Sequence, residues 1–515
     1  MSSFNIKRAI ISVWNKENIV PFAKTLQSKG VRVYSTGGTF RKLCEENITV
    51  EKIEDLTGFP EIMGGRVKTL HPLIFSGILA DSANPDHIDD LKKVNATAFQ
   101  LVVVNLYPFS ETCHAGDKSD EEIVEMIDIG GPSMLRAAAK NYKSVAVLSH
   151  PSQYDEFLKR FEAGKIDENY RRTLAGDVFI QTSNYDAEIA TFFSGDKEPL
   201  PNLWLNHYQK SAVLRYGENP DQQAALYNPQ SDPKVQPFHQ LQGKEISYNN
   251  YVDCIAAYRI AFEYKSELTV CVNIKHTNPC GLGLGKTPLD AYLRAVKADP
   301  VSYFGGIVGV NRPVDKVLAE ECTKSFLECI VAPEFSTEAL EILVKKKNLR
   351  LLIPNQNYLE SKFDIKGYGK GLLVQEAQYS DDNEEKWETV TEQKPQNQFY
   401  EALRLGWHLV KHVKSNAILL ADKNGSIGVG AGQMSRVDAL KIAIRKSGEA
   451  GLDIKNSIMA SDAFFPFRDS IDLAVEHGVI GVIQPGGSVR DKEVIEACNE
   501  HGLFMLFTHK RVFKH

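Results

Sequence analysis

Lys275 and His276 stand side by side after the apolar run Leu268-Thr269-Val270-Cys271-Val272-Asn273-Ile274. One supplies a fixed positive charge and the other exchanges protons near neutral pH. The pair suits a reaction that moves a proton while charge builds on a neighbouring atom. The apolar run reads as a buried strand, and Thr277-Asn278-Pro279-Cys280-Gly281 reads as the loop after it, punctuated by Pro279 and Gly281. Arg215-Tyr216 adds a cation and a phenol, and Tyr303-Phe304-Gly305-Gly306 is a turn able to stack an aromatic ring on a heterocycle. Lys414-Ser415-Asn416 precedes another buried run. Gly430-Ala431-Gly432-Gln433-Met434-Ser435-Arg436 is a glycine loop whose Ser-Arg pair suits an anion. Ser461 to Asp469 places Phe464, Phe465 and Phe467 around Pro466, either as a buried turn or as a wall for a flat ligand. Arg511 lies in the charged last residues.

A second group of residues lies upstream. Ser35-Thr36-Gly37-Gly38-Thr39 sits between a strand signal and a helix signal, an arrangement that offers free N–H groups and a dipole end to a phosphate. Its spacing is neither the dinucleotide fingerprint nor a P-loop. Gly64 to Pro72 carries Arg66 and Lys68 two apart, on one side of an extended segment, with Thr69 beside them. Asn105 and Tyr107 close an apolar strand. Asp128 precedes Gly130-Gly131, and Lys140 follows. Cations, a phenol, an amide and a carboxylate together suit a phosphorylated, amide-bearing heterocycle.

Regular elements must position these groups. Ala9–Val13, Val31–Tyr34, Leu101–Asn105 and Val145–Leu148 read as strands, and Glu17–Ser28 and Phe40–Glu46 as helices. This βαβ rhythm predicts a parallel sheet with helices on both faces and ligands beyond the carboxyl ends of its strands. Residues 151 to about 197 read as helical. The Gly/Pro-rich break from Gly195 to Asn202 predicts two domains, 1–197 and 203–515, the second divided near the polar stretch 379–398. A weak echo between Ile274–Asn278 and Val413–Asn416 hints at a duplicated fold in the second domain. With 515 residues, two to four domains are expected. A net charge of −6 gives no overall basic field for nucleic acid. No apolar run is long enough to span a bilayer and no signal peptide opens the chain. The eight scattered cysteines include no C-x-x-C pair, so a reduced, cytoplasmic protein is expected.

Gly58-Phe59-Pro60-Glu61, Gly64–Pro72, Asn105–Phe109, Asp128–Asn141, Lys275–Gly281, Gly430–Arg436 and Ala463–Asp469 together resemble the bifunctional purine-biosynthesis enzymes that join AICAR formyltransferase to IMP cyclohydrolase. The resemblance covers essentially the whole chain in order. It implies an α/β protein: a methylglyoxal-synthase-like cyclohydrolase domain, then a duplicated, cytidine-deaminase-like formyltransferase region. It implies that 10-formyltetrahydrofolate gives its formyl group to AICAR, and that the product FAICAR closes to IMP with loss of water. Ser12, Lys16 and Ser35 to Thr39 would hold the nucleotide phosphate. Arg66, Lys68, Thr69, Asn105, Tyr107, Asp128, Gly130, Gly131 and Lys140 would line the reacting end, with Lys68, Tyr107, Asp128 and Lys140 catalytic. Arg215, Tyr216, Lys275, His276, Gly305, Asn416, Arg436, Phe464 and Arg511 would contact AICAR, and Phe304, Ser435, Pro466 and Phe467 the folate. Lys275 and His276 would carry the proton transfers while Asn416 positions the formyl group.

The resemblance further implies a homodimer whose formyltransferase sites lie across the interface, and it leaves a monovalent cation unplaced. Two residues depart from many relatives: Glu328, where an Asp is common, and Ser470, where some have Asn. A zinc deaminase is the first rival reading, suggested by Asn278-Pro279-Cys280-Gly281. Position 283 is Gly where a second cysteine would stand, and no His-x-Glu precedes it, so no zinc is expected. The second rival is a nucleotide sensor, in which residues 1–197 bind without turnover.

Overall fold

The computed structural model describes residues 4–195, 200–205, 207–229, 234–378 and 384–515. They fall into two units, Met1–His207 and Tyr208–His515. Residues 196–199 of the expected linker and 379–383 of the expected internal boundary lie outside the described residues. Among the described residues, no helix is long and apolar enough to cross a membrane.

The first unit is built on five parallel strands: β1 (Arg8–Val13), β2 (Arg32–Ser35), β3 (Val50–Lys52), β4 (Leu101–Asn105) and β5 (Ala146–Leu148), in the order β3-β2-β1-β4-β5. Every residue of β4 is buried, as expected for a strand covered on both faces. The chain runs outward from β1 through β2 to β3, then returns to β4 on the other side. Neighbouring strands β1 and β4 therefore form the switch point, where a crevice opens beyond their carboxyl ends. Val13 and Asn105, their last residues, are register partners. The helix expected from Phe40 begins at Gly37, so the glycine pair is its first turn. Gly37 has φ +56°, which glycine adopts without a Cβ clash.

The second unit opens with a hairpin, β6 (Tyr208–Leu214) and β7 (Ala224–Pro229), and carries another, β14 (Phe363–Tyr368) and β15 (Gly371–Glu376). Its main sheet takes six strands from each of two chain segments. The first are β8 (Phe238–Gln242), β9 (Thr269–Lys275), β10 (Asn278–Gly285), β11 (Ile307–Val310), β12 (Cys329–Val331) and β13 (Arg350–Pro354). The second are β16 (Glu388–Thr389), β17 (Ile418–Asp422), β18 (Gly425–Gly430), β19 (Ile458–Ser461), β20 (Gly481–Gln484) and β21 (Phe504–Phe507). The order β16-β21-β20-β19-β17-β18-β10-β9-β11-β12-β13-β8 reads the same from both edges. Parallel and antiparallel pairings match as well, and β10 meets β18 at the seam.

The unit is thus an internal repeat, although the echo that hinted at one is not part of it. Ile274–Asn278 lies at the β9–β10 turn, whereas Val413–Asn416 lies before β17, at a position that is not equivalent. Pro279 and Gly281 also prove not to punctuate a loop. They belong to β10, which pairs antiparallel with β9 through a register shift between them. Gly281, Gly283 and Gly285 alternate because the helix Pro288–Ala298 lies against that face. A Cβ on Gly281 would stand 2.0 Å from the Ala295 oxygen, and one on Gly283 2.2 Å from that of Ala291. The second copy repeats the device, with Gly428 and Gly430 under the helix Arg436–Glu449.

Candidate active sites

In the first unit the crevice at the switch point encloses about 650 Å³ and is lined by Ser12, Lys16, Thr36, Arg66, Lys68, Tyr107 and Asp128, among others. Its floor is fixed by side chains that turn inward. Asn105 Oδ1 accepts the N–H groups of Trp14 (2.6 Å) and Asn15 (2.9 Å), and its amide donates to the Asn15 oxygen at 2.8 Å. The Thr39 hydroxyl bonds the Val13 N–H and oxygen, Ser35 donates to the Ile11 oxygen, and Thr36 donates to Glu54. These side chains shape the loops, so Ser35, Thr36 and Thr39 engage their hydroxyls inside the protein.

Two ammonium groups converge there. Lys16 Nζ lies 3.8 Å from a Cβ built on Gly38, and Lys68 Nζ lies 3.6 Å from one built on Gly37. Burial, reinforced by Arg41, pushes the Lys16 ammonium below the ordinary lysine range. Helix dipole, backbone N–H groups and two lysines are the groups by which a phosphate can be held. Opposite, Asp128 Oδ1 accepts the Gly131 N–H at 2.7 Å, at the start of the helix Gly130–Lys140. A Cβ on Gly131 would strike Asp128 Oδ2 at 2.3 Å, which explains the glycine. Burial raises the Asp128 carboxyl above the usual range, against the opposing pull of the Gly131 N–H and Lys68.

The expected site is regrouped in three respects. Arg66 to Thr69 follow a 3-10 turn, Met63–Gly65, rather than a strand, and Arg66 is ion-paired to Glu125. Asn105 and Ser35 hold loops instead of facing the cavity with free groups. Lys140 is not brought to the crevice within one chain. It ends the eleven-residue helix whose first turn lies at the crevice, about 15 Å away along the axis, and lines a separate shallow cleft with Arg136, Tyr142 and Phe179. The sequence reading missed Trp14, Arg41 and Glu61. Trp14 packs on the Tyr107 ring at 5.0 Å, and Glu61 Oε1 lies 3.7 Å from Lys68 Nζ. An exposed tryptophan directly after a strand was the one available signal.

In the second unit, Lys275 ends β9 and Asn278 begins β10, so His276 and Thr277 are the two central residues of a tight hairpin. Both are left-handed, with φ +51° and +64°, as a two-residue turn of the primed type requires. The turn lifts the His276 ring into solvent. Asp253, on the helix Tyr248–Glu263, accepts the Thr277 N–H at 2.6 Å from below. Burial raises its carboxyl, while the Thr277 N–H and His276 pull the other way. Lys275 Nζ donates to the oxygens of Phe304 (2.9 Å) and Gly305 (3.0 Å), which leaves one of its three donors for a ligand. Gly305 has φ +65°, and a Cβ there would crowd that ammonium at 3.2 Å.

Asn278 Oδ1 accepts the Lys414 N–H at 2.9 Å and so joins the turn to the loop before β17. In that loop Asn416 donates to the oxygens of Gln433 (3.0 Å) and Met434 (3.2 Å). The Ser-Arg pair is engaged from within. Ser435 caps the helix Arg436–Glu449 by accepting the Asp438 N–H, and Arg436 binds buried Asp462 at 2.7 Å and Ser461 at 2.8 Å. The three phenylalanines diverge: Phe465 is in the core, Phe464 is half-buried and Phe467 is exposed. Glu328 pairs with Arg350 at 2.7 Å. The Ser470 side chain turns into its own helix, toward Asp469. Arg215 and Arg511 are exposed, over Tyr216 and Phe513 respectively. Burial pushes the Cys280 thiol up to about 12, and it donates to the Asn273 oxygen.

A parallel-sheet unit with two lysines at a helix N-terminus and a repeated mixed-sheet unit with a Lys-His turn give the chain two separate candidate sites. Residues 138–446 match the AICARFT/IMPCHase bienzyme family, and residues 18–133 match the MGS-like domain. The bifunctional purine biosynthesis protein PurH of Oceanobacillus iheyensis is 45% identical over 515 residues, covering 99% of this chain and 100% of that protein. The proteins of the same name from Aquifex aeolicus and Halalkalibacterium halodurans are 46% and 47% identical, each across 99% of this chain and 100% of their own length. The chain belongs to the AICARFT/IMPCHase bienzyme family. It is a bifunctional enzyme of purine biosynthesis, an AICAR formyltransferase and IMP cyclohydrolase.

Proposed function

We propose that the switch-point crevice of residues 1–207 closes FAICAR to IMP, and that the His276 turn transfers the formyl group of 10-formyltetrahydrofolate to the AICAR amine. The observation that carries the first assignment is the convergence of Lys16 and Lys68 on the first turn of the helix Gly37–Glu45. A ribonucleotide phosphate held there extends its base toward Tyr107 and Asp128. Ring closure joins the carboxamide nitrogen to the formyl carbon, and water leaves. Lys68 and Tyr107 offer donors to the formyl oxygen as its charge grows. Asp128 accepts from the carboxamide nitrogen and handles its proton. Holding both ends of one molecule together supplies much of the rate.

In formyl transfer the amine nitrogen bonds to the formyl carbon, and the bond to the folate nitrogen breaks. His276, exposed on its turn, takes the amine proton. The remaining Lys275 donor faces the oxyanion and protonates the leaving nitrogen. Asn416 positions the formyl group, and Arg436 orders its loop through Asp462. Phe304 and Phe467 are 60% and 49% exposed, as aromatic rings awaiting a folate and a second copy of the chain would be. That exposure supports the homodimer reading, in which the formyltransferase sites lie across the interface. A reduced, cytoplasmic setting suits eight cysteines that are all unpaired.

Separate assays of two full-length variants test the assignment. Lys68→Ala should lower ring closure by about 10²-fold or more and spare formyl transfer, and His276→Ala should do the reverse. Loss of both activities in either variant would sink the two-site reading. Binding of FAICAR by the wild type without turnover would favour the sensor reading of residues 1–197.

A further inference from the structure

The segment Val512–His515 threads between the two loops of the formyltransferase site. Lys514 is half-buried there, without a carboxylate in contact. Its Nζ donates to the His412 oxygen at 3.0 Å and the Thr277 oxygen at 3.3 Å, and its own oxygen accepts the Ser415 N–H at 2.9 Å. Thr277 is a central residue of the His276 turn, and His412 and Ser415 flank the loop that carries Asn416. Thr277 is therefore held at both ends, its N–H by Asp253 and its oxygen by Lys514.

We propose that Lys514 is a positioning residue for formyl transfer, a half-buried cation that clamps the His276 turn to the Asn416 loop. The inference rests on the assignment of that reaction to His276 and Asn416. An ammonium drawn partly out of water is a costly way to fill space, since methionine of similar reach would pack without losing hydration. Burial, together with Arg259 and Lys414, pushes Lys514 down to about 8, while Asp364 and Asp253 pull it up. An ammonium answers these costs by donating to two oxygens at once from one point. It also lies just beyond the carboxyl end of the helix Tyr400–Val410, where the dipole favours a cation. Small displacements between reacting groups carry large rate penalties, so the clamp acts on kcat through the distance from His276 to Asn416.

Full-length Lys514→Met tests this. Formyl-transfer kcat should fall by about 10²-fold. KM for AICAR should change far less, and both cyclohydrolase activity and the unfolding temperature should hold. In Lys514→Ala, ethylammonium should restore part of the lost rate, and tetramethylammonium, which has no N–H, should restore none. Wild-type kcat in Lys514→Met overturns the proposal. So does equal recovery with both ions, or a loss of rate matched by loss of cyclohydrolase activity and unfolding temperature. His276→Ala measured alongside separates the two readings. If it keeps formyl transfer, the assignment of the site fails; if it is inactive while Lys514→Met is active, only the clamp fails.

Discussion

Burial holds the Asp128 carboxyl above its ordinary range although Lys68 and the Gly131 N–H favour its charge. Between the ordinary carboxylate pKa and the raised one, the folded state binds more protons than the unfolded chain. The stability this group contributes is present in acid and lost as pH rises through the raised pKa. Above the raised pKa the charged carboxylate therefore lowers stability. Asp128→Asn should raise the unfolding temperature of the first unit near pH 7 while ring closure falls by about 10²-fold or more; an unchanged or lower unfolding temperature contradicts this. Ring closure should also fail on the acid side at a higher pH than an ordinary carboxylate would dictate, which a pH–rate profile measures. Lys68, Tyr107 and Asp128 could be found in the sequence because each follows or precedes a glycine pair or a strand end. Asp253 and Lys514 could not. Asp253 is one polar residue among many on a helix, and its partner is 24 positions away. The partners of Lys514 lie 102 and 237 positions away, beyond any local pattern.

At the scale of elements, the strands β1, β4 and β9 were legible because each is a run of buried apolar residues bounded by polar ones. The turn at 276–277 was not. Pro279 and Gly281 carry loop signals, yet the glycines are there for the helix Pro288–Ala298. A close approach of backbone to backbone leaves the same mark in a sequence as a bend. The two causes separate experimentally. Gly283→Ala would place a methyl 2.2 Å from the Ala291 oxygen and should destabilise the second unit by about 1–3 kcal/mol. Gly448, on the helix Arg436–Glu449, has nothing within 4 Å of a built Cβ. Gly448→Ala should be neutral or stabilising by up to about 1 kcal/mol. Chemical denaturation of both variants reads the difference, and equal stability would remove the packing account of the β10 glycines.

Across the whole molecule, the two units keep separate hydrophobic cores, which suits separate responses to pH. His408 and His412 in the second unit are held well below the ordinary histidine range, by burial first and then by Lys411. Folded, both stay neutral; unfolded, both take up protons below about 6.5. Their contribution is full above that pH and is lost as the pH falls, by about 1.4 kcal/mol per pH unit for each histidine. Denaturation followed from pH 8 to 5 should show the second unit weakening toward acid. A profile flat below pH 6.5 would exclude the two histidines as the cause.

The repeat in the second unit has a consequence for where change is tolerated. Its two copies place matching hairpin ends at Lys275–Asn278 and Asp422–Gly425. The latter closes the seam: Asn424 gives its oxygen to the Leu284 N–H, and Asp422 binds Arg294. It contains no left-handed non-glycine residue, whereas its counterpart puts His276 and Thr277 in that region. Duplication let one hairpin serve as a fastener while its twin departed from the residues a turn prefers. The pair is therefore a built-in control. Asn-Gly placed at 276–277, where both residues are left-handed, separates what the backbone favours from what the reaction demands.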